Sequence, residues 1–71
     1  MSEENLENIV LKGLYTWKKF INEAKTISER AEYQKKFRHL YNYAESYGYE
    51  IPEDLKILYK AINGNDRQHS V

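Results

Sequence analysis

The spacing of Tyr33, Phe37, Leu40, Ala44 and Tyr47, alternately four and three residues apart, constrains this chain more than any other feature. At 3.6 residues per turn such a row falls on one side of an α-helix, and Tyr41 widens it. The preceding segment carries a similar row: Leu6, Ile9, Val10, Leu14, Trp17, Ile21 and Ala24. A shorter one follows, Leu55, Leu58, Tyr59 and Ile62. Each row needs a partner to cover it. Three amphipathic helices joined by short polar connections predict an all-α fold, a small three-helix bundle.

The punctuation between the rows agrees. Ser2 is a good N-cap for the first helix, with Glu3 and Glu4 favouring its dipole, and the row carries that helix to about Lys25. Gly13 lies on the buried side between Val10 and Trp17, where it would admit a bulky ring from a neighbour; a break near Gly13, giving four helices, is the alternative. Thr26 to Glu29 has the capping-box spacing, with Ser28 a competing cap, so a second helix is expected from about Glu29 to Tyr47. Gly48 suits the left-handed position that ends a helix. Pro52, Glu53 and Asp54 make a first turn for the third helix, expected to stop at Gly64-Asn65. The domain is then residues 1–64, and residues 65–71 form a flexible tail.

Size sets the energetic problem. A chain of 71 residues buries only about 60% of the surface its unfolded form exposes, so it needs help from cross-links, a metal, self-association or dense packing. With no cysteine, disulfides and thiolate metal sites are excluded. Seven tyrosines, two phenylalanines and one tryptophan supply rings that bury roughly 150–250 Å² each, in a thin core or at an interface between copies. No basic-then-apolar leader and no long apolar run is present, and the expected location is the cytoplasm, away from membranes. Trp17, Phe20 and Ile21 beside Lys18 and Lys19 partly fit a membrane-surface helix, but their apolar face is better used inside the bundle.

Eleven basic and eleven acidic side chains balance, which is not the bulk basicity of a nucleic-acid-binding domain. Their distribution is uneven. Residues 18–39 hold seven Lys or Arg against three Glu, and Lys35, Lys36, Arg38, His39 and Asn42, with Tyr43 adjoining, form a basic face on the second helix. Such a face holds phosphates and stacks a base in the functional reading, and is merely solvated in the plainer one. A helix-turn-helix reading of Ala44, Gly48 and Ile51 founders on Pro52-Glu53-Asp54, which would repel phosphate at the start of the reading helix. Leu11 and Tyr15 lie off the main row of the first helix; beside Lys18 they make a candidate protein interface, unless another helix end covers them.

Catalysis finds little support. His39 and His69 have no partner at helical spacing, the carboxylate groups sit at helix starts, and there is no phosphate-binding glycine loop. The expectation is a non-enzymatic protein without cofactor or metal, acting as a protein–protein interaction or regulatory module and able to form homo-oligomers. Its size and Lys/Asn/Tyr/Ile-rich composition suit a bacterial or phage modulator of a larger complex. Nucleic-acid binding through the second helix is the alternative.

Overall fold

The computed structural model describes the backbone from Asn5 to His69 and side chains as far as Asn63. Three helices follow in order, α1 (Leu6–Glu23), α2 (Ile27–Ser46) and α3 (Glu53–His69), and no strand occurs among the described residues. The small all-α bundle is thus as the rows dictate. α1 runs unbroken through Gly13, so the four-helix alternative does not hold.

The caps differ in detail. Asn5, not Ser2, caps α1: its Oδ1 accepts the Asn8 N–H at 3.1 Å, while Ser2, Glu3 and Glu4 lie outside the described residues. α1 ends at Glu23, with Ala24 already extended, rather than at Lys25. Thr26 wins over Ser28, because its hydroxyl accepts the Glu29 N–H at 3.0 Å. Glu29 reaches back to accept the Lys25 N–H at 3.0 Å, which closes the box one residue earlier than the usual pattern. At the other end of α2, Gly48 takes φ +75°. Its N–H donates to Glu45 O at 3.0 Å and that of Tyr49 to Ala44 O at 3.1 Å, the paired bonds of a Schellman turn.

Pro52 sits one position before the place expected of it. It precedes α3, and its carbonyl accepts the N–H groups of Leu55 and Lys56 at 3.1 and 3.2 Å. α3 also outruns its expected end at Asn63, continuing to His69. Gly64 and Asn65 are poor helix formers, yet their penalty is only about 1 kcal/mol or less per residue, which discourages a helix without forbidding it. The expected tail therefore begins as helical backbone; its side chains, and Ser70 and Val71 entirely, lie outside the described residues.

Val10, Leu14 and Ile21 of α1, Phe37, Tyr41 and Ala44 of α2, and Leu55 and Ile62 of α3, with Ile51 from the connection, form the core. Phe37, Leu14 and Leu55 are its largest fully enclosed side chains. α1 and α2 pair as an antiparallel hairpin and α3 lies across one side of it, giving a body 48 × 27 × 17 Å. Gly13 marks the close approach of the two helices: a Cβ there would come within 2.8 Å of Leu40 Cδ2. The neighbour it admits is an aliphatic tip, not the expected ring.

α3 and the connection leading into it are fastened at three points. Tyr59 stacks on Tyr41 with centroids 3.8 Å apart and planes 3° from parallel, and its hydroxyl donates to Asn42 Oδ1 at 2.9 Å. Asp54 accepts from the Tyr15 hydroxyl at 3.1 Å and pairs with Lys18 Nζ at 3.4 Å. In the connection, the Glu50 N–H donates to Glu7 Oε2 at 3.2 Å.

Candidate functional site

Because α3 covers only one side of the hairpin, the other side keeps a row of large side chains. On α1 these are Leu6, Ile9, Trp17 and Phe20; on α2, Tyr33, Leu40, Tyr43 and Tyr47. Leu6, Ile9 and Tyr47, expected in the core, remain 49%, 50% and 60% exposed, since no helix reaches them. The rings pack on one another. Trp17 stacks on Tyr33 at 5.9 Å, Phe20 meets both at 5.5 Å, and Tyr43 stacks on Tyr47 at 4.7 Å. Between the two ring groups lies an open groove of about 480 Å³ with Val10 and Leu40 as its floor, Trp17 and Tyr43 at its walls and Lys36 and His39 on its α2 rim.

The electrostatics of the groove are mild. Lys36 pairs with Glu32 one turn away at 3.6 Å and lies 6.0 Å from the Trp17 ring centroid, the outer limit of a cation–π contact. At Tyr43, partial loss of water first, then the hydrogen bond with Tyr47 and the nearness of Tyr47 and Tyr49, raise the hydroxyl pKa above its ordinary value. The tyrosine therefore stays neutral and presents a ring with a hydrogen-bonding tip.

The residues singled out from sequence fall into different places. Leu11 is half-buried against the core. Tyr15 and Lys18 hold Asp54, and Lys18 lies 5.9 Å from the Tyr15 centroid, so the first turn of α3 borders this face while Tyr15 remains 41% exposed. Desolvation, the bond to Asp54 and its charge raise the Tyr15 pKa. Desolvation works against ionisation of Asp54, but Tyr15, Lys18 and the Leu55 N–H outweigh it and hold its carboxyl below the ordinary value.

The basic face is divided. Lys36, His39 and Tyr43 turn toward the groove, Asn42 is taken by Tyr59, and Lys35 points away on the outer side of α2. Arg38 is half-buried on the flank that carries Asn42. The six do not form one surface.

Sequence reading missed this exposed side because Leu6 and Ile9 were assigned to the core; Trp17, assigned there too, is half-buried and packs against it. The signal was present: a row of helix positions wider than one partner can cover implies a second covered side.

Among the described residues, no three His, Cys, Asp or Glu side chains gather where they would hold a metal ion, and no helix is long and apolar enough to cross a membrane. No protein-family model matches the chain. Neither a curated protein nor a solved structure resembles it significantly.

Proposed function

We propose that this protein is a non-enzymatic helical interaction module, regulatory in kind, and that a protein partner docks on the aromatic side of the α1–α2 hairpin. One observation carries the reading: Trp17 and Tyr43 line a groove on the side α3 leaves uncovered, and Phe20 and Tyr33 pack on Trp17 beside it. Aromatic residues are the favoured anchors of protein interfaces, and a groove between two helices is suited to receive a helix or an extended segment. This places the contact on the opposite flank of α1 from Leu11, Tyr15 and Lys18.

Nucleic-acid binding is the second reading, favoured by Lys36, His39 and Tyr43 lining one groove. It is the weaker because Trp17 is already stacked on Tyr33 and approached by Lys36, leaving little free ring surface for a base.

The test is capture of partners by the tagged full chain, with and without nuclease, for the parent and for Phe20→Ser with Tyr43→Ser. A stoichiometric protein that survives nuclease and is lost from the double variant supports docking on this face. Retention of the same partner by the double variant rejects it. Recovery that depends on nucleic acid and falls steeply with salt moves the second reading into first place.

A further inference from the structure

The row that α1 presents on this side, with Leu6, Ile9 and Phe20 exposed and Trp17 half-buried, is symmetric about Gly13. Leu6, Ile9, Gly13, Trp17 and Phe20 are spaced three, four, four and three, so Leu6 and Phe20 lie seven residues either side of the glycine, and Ile9 and Trp17 four. α2 shares only the outer pair of this pattern: Tyr33 and Tyr47 are each seven residues from Leu40, whereas Lys36 and Ala44 stand four away. The two centres are at the same level of the hairpin, because the Leu40 tip lies against the Gly13 backbone. A surface of this kind is self-complementary. A two-fold axis passing over Gly13 and Leu40, perpendicular to the helices, lays α1 antiparallel on α1 of a second copy and α2 on its counterpart. Leu6 then meets Phe20, Ile9 meets Trp17 and Tyr33 meets Tyr47, each contact occurring twice as a closed two-fold interface requires.

We infer that the first occupant of the aromatic face is a second copy of this chain, paired antiparallel about Gly13 and Leu40 as a four-helix layer with the two α3 helices outside. The inference rests on the docking reading above and names the partner. The area is sufficient. The exposed parts of Phe20, Tyr43 and Tyr47 amount to roughly 200–350 Å² at 150–250 Å² per ring. Leu6 and Ile9, each half exposed, bring the apolar part to about 300–450 Å² per copy. At the usual apolar share of 56–65% of an interface, that corresponds to about 900–1,600 Å² in total, from the low end of specific dimers to their standard size. The charge pattern permits it: Lys36 is compensated within its own chain by Glu32. The second copy also answers the size problem, by covering apolar rows that 71 residues cannot cover alone.

Sedimentation equilibrium of the full chain from about 5 to 500 µM brackets the affinity of an interface of this size. The expected result is a monomer–dimer equilibrium in which Ile9→Glu weakens association by at least about tenfold, since it buries an unpaired charge. Ile57→Glu, on exposed α3, leaves it unchanged. Leu6→Glu serves equally if Ile9→Glu lowers helicity, because a first-turn glutamate suits the helix dipole. Register is read separately. The chain has no cysteine, so Leu6→Cys and Phe20→Cys can be mixed under copper–phenanthroline. The inference expects mixed 6–20 disulfide dimers, with little 6–6 or 20–20 product. A parent that is monomeric throughout, a dimer indifferent to both glutamates, or dominant 6–6 and 20–20 cross-links overturns it. A monomeric parent whose Phe20 and Tyr43 variants lose a protein partner removes the dimer alone; variants that keep the partner remove the docking reading as well.

Discussion

Two of the glycines act in opposite ways, and the difference is measurable. Gly48 ends α2 at φ +75° with open space where a Cβ would stand, so only the backbone objects to a side chain. Gly48→Ala is expected to destabilise by about 1–2 kcal/mol, the cost of the left-handed region, read as a lower urea midpoint at unchanged slope. Gly13 is helical and limited by Leu40 Cδ2, the mobile end of a side chain bordering the open groove. Gly13→Ala gains up to about 1 kcal/mol of helix propensity and needs a small Leu40 displacement, so it is expected to be near neutral. Gly13→Leu has no such outlet and separates α1 from α2. A strongly destabilising alanine at Gly13 would mean that Leu40 is locked in place. The role of Gly48 was legible in the sequence, since glycine after an apolar row is a helix stop. The neighbour of Gly13 was not, because pattern gives the side a residue faces and not which residue faces it.

At the scale of the helices, the rows were legible and the assignment of each row to a partner was not. The same spacing that placed Val10, Leu14 and Ile21 in the core also claimed Leu6 and Ile9, which α3 never reaches. α3 is held by its buried apolar row and, beside it, by polar fastenings, of which Asp54 carries one. Its pKa is lowered on folding, so its contribution is present above the ordinary carboxylate value near 3.9 and lost as pH falls through the lower folded value. Asp54→Asn should therefore lower the Tm at pH 7 slightly and flatten its decline below about pH 4, measured by circular dichroism across pH. An unchanged acid profile would show that Tyr15 and Lys18 do not hold α3. These two residues attracted notice in the sequence as a candidate protein interface; in the fold they contact Asp54 of their own chain.

For the whole molecule, the decisive property is that three helices make only one and a half layers. Phe37 is fully enclosed, and Phe37→Ala is expected to cost about 3–5 kcal/mol in chemical denaturation and abolish cooperative melting in so small a domain. Phe20→Ala, on the side without α3, should cost under about 2 kcal/mol because the ring is already 40% in solvent. Comparable losses at both positions would mean that the hairpin has no open side. Sequence pattern gave the bundle but not this asymmetry, which arises from where α3 crosses the hairpin. The account rests on that open side being where the protein meets others. The most direct test places a photo-crosslinking phenylalanine analogue at Phe20, at Tyr43 and, as control, at Ile57, and irradiates cells making the full chain. The account predicts polypeptide adducts of the same masses from positions 20 and 43 and none from position 57. Adducts from position 57 alone, or nucleic acid in place of protein at positions 20 and 43, would contradict it.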